Sequence, residues 1–241
     1  MKKILVIICL SMFVTVLMAD NVEDIKVSAT VEAVSAYVYK GATWNDGMVF
    51  QPSCEVTTGP ITMGIWGNYD VANYNKTLQE NETSEVDFYV SYDMSIKDVD
   101  ISGGYSVFTY PHYDYETEQE ISLKFTLSKV TVNPFITVKH GLDGWIAGDI
   151  YCEAGLSYNI KVENMTMPLK GLVAYSASNN GEDGFSHYEL QTGKSVTFKG
   201  MDVGASVTYL GLIDDKVLPR SDEGGGFDVD VVGKFYISKS F

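Results

Sequence analysis

Cysteine, proline and long apolar runs are all scarce in this sequence, and each shortage excludes a class of structure. Of the 241 residues, 3 are cysteine and 6 are proline. Beyond the N-terminal region the cysteines are Cys54 and Cys152, too few for a small fold held together by disulfides. After residue 19 no segment is continuously apolar enough to predict a membrane-spanning helix. The apolar residues, 45% of the chain, are therefore distributed finely along it.

Basic residues are also few. Lysine and arginine together number 17 against 32 aspartates and glutamates, which gives a formal net charge of −15 at pH 7. Because an acidic surface repels phosphate, we expect no nucleic-acid partner. No residue pattern in the chain indicates a cofactor.

The N-terminus has the features of an export signal. Lys2 and Lys3 precede an apolar run over 4–16, and Ala19 supplies a small residue before Asp20. The run is too short to span a bilayer, which favours a cleaved secretory signal peptide over an anchor. We therefore expect residues 1–19 to be removed and residues 20–241 to form the exported domain.

Apolar and polar residues alternate along most of the exported chain, which is typical of strands with one apolar face. In the last segment the apolar set is Phe227, Val229, Val231, Phe235, Ile237 and Phe241. No stretch of similar length has a 3.6-residue period, so the sequence favours an all-β fold. About twelve strands are predicted, at 25–40, 47–57, 60–70, 83–93, 97–110, 117–128, 131–141, 144–160, 166–177, 184–192, 196–211 and 226–241.

The predicted connections alternate between long polar segments and short turns. This alternation is typical of outer-membrane barrels, which carry long loops at one rim and tight turns at the other. We therefore predict a closed antiparallel transmembrane β-barrel in the bacterial outer membrane, with lipid as a partner. A soluble double sheet or a lipocalin-like barrel is the alternative. In a ring of twelve strands, Cys54 and Cys152 would face outward on opposite sides and remain free thiols.

Several short motifs near the start of the exported chain resemble a known family. They are Ser35-Ala-Tyr37-Val38-Tyr39-Lys40-Gly41, Asn45-Asp46-Gly47, Gln51-Pro52, Gly64-Ile-Trp66-Gly67-Asn68 and Glu85-Val86-Asp87. These motifs resemble the opening strands of the TorF family, whose members are regarded as outer-membrane porins. The resemblance implies a barrel that the barrel-assembly machinery recognises through a last strand ending in Phe241. Two departures from the usual pattern are Lys40, where arginine is usual, and Lys239, where an apolar residue is common.

If the apolar face contacts lipid, the opposite face lines the lumen. The acidic residues predicted there are Glu32, Glu85, Asp87, Asp149, Glu153, Glu189, Asp202, Asp228 and Asp230. The basic residues predicted there are Lys26, Lys40, Lys124, Lys139 and Lys234. Acidic groups predominate, and charge on a pore wall selects ions by sign. This predicts a cation-preferring pore, whereas pairing of the same charges across the lumen would fill it.

No arrangement in the sequence indicates catalysis or a dedicated metal site. His112 and His140 each lie near an aspartate in a predicted loop, which is ordinary in an acidic chain. Trp44, Trp66 and Trp145 fall near predicted strand ends, where aromatic rings suit the bilayer interface and loop packing is the alternative. We therefore expect a non-enzymatic, porin-like channel for passive diffusion of small hydrophilic solutes. A non-conducting barrel that serves as a structural or adhesion platform is the alternative.

Overall fold

The computed structural model describes residues 25–72, 80–162, 165–179 and 181–241, and in these residues the fold is all-β. The predicted signal peptide lies outside the described residues. The strands are β1 (Ile25–Val34), β2 (Tyr37–Tyr39), β3 (Ala42–Asn45), β4 (Val49–Thr58), β5 (Ile61–Asp70), β6 (Glu82–Ile96), β7 (Val99–Thr109), β8 (Glu118–Leu127), β9 (Phe135–Asp143), β10 (Ile150–Val162), β11 (Met165–Ala177), β12 (Gly184–Phe198), β13 (Met201–Leu212) and β14 (Val231–Ser240). One 3₁₀ turn covers Gly144–Ile146.

Twelve of these strands form a closed antiparallel barrel, as the alternation predicted. Each strand from β4 to β14 pairs with its neighbour in the chain, and β1 pairs with both β4 and β14. The seam between first and last strands aligns Val31 with Ile237 and Glu32 with Tyr236. The strands β2 and β3 pair only with each other among the named strands and form a hairpin between β1 and β4.

The barrel is apolar outside and polar inside. On β8, Ile121 and Leu123 are 43% and 42% exposed on the outer face. The interleaved Glu120 points inward, because its carboxylate reaches Lys40 on the β2–β3 hairpin. Most exposed large apolar side chains of the strands therefore form an outer surface that a soluble protein would bury. In the described residues, no helix has the length and apolar character needed to cross a membrane.

Connections of different length lie at the two ends of the barrel. One end, here called the loop end, carries the connections 35–48, 110–117, 144–149 and 213–230, together with the described residues 71–72, 80–81, 178–179 and 181–183. The other, the turn end, carries 59–60, 97–98, 128–134 and 199–200. The predicted alternation is confirmed, although 128–134 is longer than a tight turn.

Several predicted strand boundaries are wrong; the strand predicted at 144–160, for example, begins at Ile150, after the 3₁₀ turn. The predicted strand 25–40 ends at Val34, because the chain leaves the wall and turns inward. The predicted break at 193–195 lies inside β12, where Gly193 is needed because a Cβ there would lie 2.6 Å from the carbonyl oxygen of Ala205. The last strand begins at Val231 rather than residue 226, since Phe227 turns inward and is 3% exposed.

The two cysteines are free, as predicted. Cys54 lies on β4 and Cys152 on β10, which are opposite each other in the ring of twelve. Cys54 pairs in register with Ile65, which is exposed on the outer face. The outward orientation inferred from the alternation is therefore confirmed for this strand.

Aromatic rings cover glycines on neighbouring strands at directly paired positions. Tyr89 covers Gly64 across β5 and β6, and Tyr236 covers Gly204 across β13 and β14. A Cβ built on either glycine would overlap the ring. Such pairs fix strand register, because the ring packs on the backbone that the missing side chain leaves open.

Replacing Gly204 with valine should destabilise the barrel, because the Tyr236 ring would have to leave its place. Overpacking of this kind costs about 1–3 kcal/mol. The urea midpoint of unfolding, measured in detergent by the loss of heat-modifiable gel migration, should fall. Ala205→Val adds bulk on the exposed outer face of the same strand and should leave the midpoint nearly unchanged. Equal midpoints for both variants would contradict the role of the ring–glycine pair.

Candidate functional site

The β2–β3 hairpin folds into the barrel and forms the candidate site. Its two-residue turn contains Lys40 at φ 53° and Gly41 at φ 80°. Two successive positive φ values are typical of the type I′ turn, whose twist matches that of the flanking strands. A lysine at the first of these positions is held by contacts of its side chain, which are described below.

The hairpin starts where β1 leaves the wall. Ser35 still belongs to the seam, because its backbone N–H donates to the carbonyl of Gly233 and its hydroxyl accepts the N–H of Gly233, each at 2.9 Å. The next residue, Ala36, is 2% exposed. The chain therefore passes from the seam directly into the interior.

Apolar packing and the last loop hold one face of the hairpin. Val38 and Ala42 pack against a buried cluster that contains Leu210, Leu218 and Phe227. Thr43 donates its backbone N–H to Gly226 at 2.7 Å and accepts from Gly225 at 2.9 Å. The segment 213–230 thus covers the hairpin and joins it to β13.

A buried network of amides fixes the base of the hairpin to the wall. The Nδ2 groups of Asn45 and Asn68 donate to Oδ1 of Asp70 at 2.7 Å and 3.0 Å. Gln51 donates to Oδ1 of Asn68 at 3.1 Å, and Asn68 donates to Ser84 at 2.9 Å. Because buried polar groups are costly when unpaired, this network specifies where the chain returns from β3 to β4.

Two tyrosines on the opposite face donate to carboxylates of the wall. Tyr37 donates to Glu85 on β6 at 2.7 Å, and Tyr39 donates to Glu120 on β8 at 3.3 Å. Burial, followed by the neighbouring carboxylate charges, raises the pKa of both phenols well above the usual range. Both hydroxyls therefore stay protonated and keep their role as donors.

The lysine at the tip is held by charge and by aromatic rings. Lys40 forms an ion pair with Glu120, whose other carboxylate oxygen lies 3.7 Å from Lys139. The Lys40 ammonium lies 5.2 Å from the ring centre of Tyr39 and 5.5 Å from that of Tyr151. Cation–π contacts in a partly dehydrated interior add to the ion pair, so the tip is fixed to β8 and β10.

Gly41 packs on the imidazole of His187, where a side chain at position 41 would overlap the ring. Ser186 is the extra residue of a β-bulge on β12 and His187 follows it, and their Oγ and Nδ1 atoms are 3.0 Å apart. Nε2 of His187 lies 3.4 Å from Oε1 of Glu189. Ser186 and His187 are 1% and 0% exposed, so a substrate has no access to them. This serine–histidine–glutamate arrangement supports the tip.

The hairpin divides the part of the interior near the loop end into two cavities. The loop-side cavity, of about 400 Å³, is lined by residues of the hairpin, β6–β8 and the connections 110–117 and 144–149. The central cavity, of about 290 Å³, is lined by the hairpin and by strand residues such as Gln51, Gln191 and Lys234. Tyr37, Tyr39 and Phe108 line both cavities. These three rings, here called the septum, separate them.

Several residues predicted to line the lumen lie on inward positions of barrel strands. Glu32 binds Lys234 at 3.0 Å across the seam. The Lys124 ammonium lies 5.3 Å from the ring centre of Phe135. The other inward strand residues of that prediction are Lys26, Glu85, Asp87, Lys139, Glu153, Glu189 and Asp202.

Four predicted lumen residues do not lie on barrel strands. Lys40 is at the tip of the hairpin. Asp149 lies before β10 and accepts from Ser178 and from the backbone N–H of Asn179, each at 2.9 Å. Asp228 and Asp230 are exposed in the segment before β14. Neither aspartate therefore occupies an inward position of a barrel strand, although the backbone carbonyl of Asp230 accepts from the N–H of Leu210 on β13 at 2.8 Å.

Sequence reasoning missed three inward glutamates, which are Glu55, Glu118 and Glu120. Ser122 and Lys124 occupy inward positions of β8, and the same alternation extended toward the N-terminus would have identified Glu120 and Glu118. The interface prediction is wrong for Trp66, which packs on Tyr37 inside the barrel with ring centres 5.6 Å apart. Trp44 and Trp145 line the loop-side cavity. No cluster suited to a metal ion occurs in the described part of the chain.

The sequence matches no protein-family model, and no curated protein matches it significantly. The resemblance to the TorF family therefore stays a prediction. Among solved structures, an outer-membrane channel from Pseudomonas putida F1 is similar at 6% identity and TM-score 0.48, with 92% of this chain and 98% of that chain covered. The NanC porin is similar at 10% identity and TM-score 0.47, with 89% of this chain and 98% of that chain covered. The translocator domain of the autotransporter NalP from Neisseria meningitidis is similar at 13% identity and TM-score 0.45, with 95% of this chain and 92% of that chain covered. Similarities this remote establish neither a family nor a function for this chain.

Substituting Gly41 with valine should release the hairpin, because the new side chain would overlap His187 and strain a residue at φ 80°. Strain at such positions costs about 1–3 kcal/mol. Trypsin cleavage after Lys40 should therefore accelerate by about tenfold or more, since cleavage follows the population of the open form. Peptide mass spectrometry would measure the rate against cleavage after Lys97 and Lys199 at the turn end.

Gly59→Val is the matched control for this prediction. Gly59 also has a positive φ, of 54°, but nothing lies within 4 Å of a Cβ built there. Its substitution should leave cleavage after Lys40 slow. Equal protection of Lys40 in the two variants would show that the tip contact does not hold the hairpin.

Proposed function

We propose that this protein is an outer-membrane β-barrel through which small hydrophilic solutes diffuse passively. The location is supported by the outer surface, where apolar side chains such as Val31 and Ile237 are 52% and 44% exposed on paired strands of the seam. Only a lipid or detergent environment makes such a surface stable. Phe241, 71% exposed after β14, suits recognition by the barrel-assembly machinery.

One observation carries the channel proposal: the two cavities lie on either side of the hairpin and share the three septum rings as lining residues. The Tyr39 and Phe108 ring centres are 5.9 Å apart. Below the hairpin the inward residues of β12–β14 are small or polar, such as Ser206 and Thr208. A solute that passes three rings therefore moves from the loop end into the central cavity. A channel narrowed by an inward hairpin would exclude large solutes and admit small ones.

The same interior supports a preference for cations. Glu120 neutralises Lys40 and lies near Lys139, and Glu32 neutralises Lys234. Glu55 and Glu153 are half-buried on opposite walls and add negative charge to the passage. Charged groups along a narrow, weakly screened passage concentrate ions of opposite sign.

Replacing Phe108 with alanine should increase single-channel conductance, because it removes one of the three septum rings. Planar-bilayer recordings of refolded protein would measure the change. Phe125→Ala removes the same side chain from the outer face of the adjacent strand and should leave conductance unaltered. A folded barrel that stays silent in both the unmodified protein and Phe108→Ala would reject the channel and favour the non-conducting platform.

The double variant Glu55→Gln/Glu153→Gln should weaken cation preference, since it removes two lumen charges and keeps side-chain shape. The reversal potential in a salt gradient would measure this, most clearly at low salt, because screening limits the reach of charge to about 10 Å at 0.1 M. Asp228→Asn/Asp230→Asn removes two charges from the exposed segment before β14 and should change the potential less. Anion preference in the unmodified protein would refute the charge argument.

A further inference from the structure

The loop-side cavity has a composition that distinguishes it from the rest of the interior. Of its fourteen lining residues, eight are aromatic. Its floor is formed by the hairpin tyrosines and by two carboxylates, Glu85 and Glu118. Other aromatic rings of the described interior, such as Tyr89, Tyr236 and Phe135, pack singly on glycine backbone or beside a lysine, so this concentration of rings around one cavity requires a separate explanation.

The rings at the mouth of the cavity are left in water. Trp145 is 71% exposed, Tyr115 is 56% exposed and Trp44 is 45% exposed. Tyr115 is nevertheless packed against two other rings: Tyr113 stacks on it with ring centres 5.3 Å apart, and Tyr110 meets it edge-on at 5.7 Å. Because wet, ordered ring faces contribute little to stability, this arrangement is better suited to binding a ligand.

Charge determines which ligand fits these rings. Glu118 accepts the hydroxyl of Tyr110 at 3.0 Å, and Glu85 accepts that of Tyr37. Among the lining residues the sole cation is Lys40, which is already paired with Glu120. The cavity therefore offers to its contents electron-rich ring faces and two carboxylates, each of which accepts a tyrosine hydroxyl. Organic ammonium groups are recognised by this combination, because the cation is attracted both by the ring quadrupole and by the carboxylate.

We propose that the loop-side cavity is a binding site for small organic cations of the ammonium class. Its volume of about 400 Å³ lies within the usual range of ligand pockets. A cation held there would lie directly above the septum. Its role as an entry site for permeating solutes rests on the proposed channel function, whereas binding itself does not.

Choline and its neutral isostere 3,3-dimethylbutan-1-ol provide a direct test, since the two differ mainly in charge. Calorimetric titration of the refolded full chain in detergent, corrected with empty micelles, should give saturable choline binding. The neutral alcohol should bind at least about tenfold more weakly if charge contributes about 1.4 kcal/mol. Equal affinities would overturn the proposal, because the cavity would then be merely apolar. Binding of glucose without binding of choline would also overturn it in favour of a sugar site.

Substitutions in the lining test whether choline binds in this cavity. Glu118→Gln and Trp145→Leu should each weaken choline binding by about fivefold or more, with heat-modifiable migration confirming that the barrel is folded. Glu182→Gln removes one acidic charge from an exposed loop at the same end of the barrel and should leave affinity unchanged. A loss in Glu182→Gln as large as that in Glu118→Gln would show that only the general potential of the loop end attracts the ligand.

The outcomes separate this site from the channel. Choline binding by a barrel that does not conduct supports the site and rejects the proposed function. Steady conductance without choline binding supports the channel and rejects the site.

Discussion

Closure of the sheet between the first and last strands is the constraint on which the rest of the molecule depends. With β1 paired to both β4 and β14, no barrel strand is left with an unpaired edge. A closed ring of twelve strands is wider than one that its own inward side chains can fill. The interior must therefore be occupied by water or by another part of the chain. Here the β2–β3 hairpin occupies part of it and leaves two cavities.

The hairpin also gives a physical meaning to the motifs that resemble the TorF family. Tyr37–Tyr39 is a strand of the hairpin, and Asn45, Asn68 and Gln51 belong to the amide network at its base. Trp66 packs on Tyr37, and Glu85 accepts its hydroxyl. These short motifs are separated in the sequence but meet around one structural element. The motifs that resemble the family are thus the ones that hold the hairpin inside the barrel.

Much of the barrel could be predicted from the sequence, because inward and outward positions follow a period of two that side-chain chemistry records directly. The strand number, the alternating connections and the opposed positions of Cys54 and Cys152 all follow from it. The hairpin could not be predicted this way. Its alternation continues that of β1, and the inward turn depends on partners such as Gly233, Glu120 and His187 far along the chain. Phe227 misled the prediction for the same reason, since an inward loop residue and an outward strand residue are equally apolar.

The position of the hairpin in the chain has a consequence for the order of assembly. It follows the first strand directly, yet its contacts are with β5, β6, β8, β10 and β12 and with the last loop. These partners are all synthesised later, and contacts of such long sequence separation form slowly. The hairpin can dock only when the ring around it is nearly complete. The hairpin, although early in the chain, therefore docks only after the last loop is in place. Protease resistance at Lys40 thus marks a fully assembled barrel.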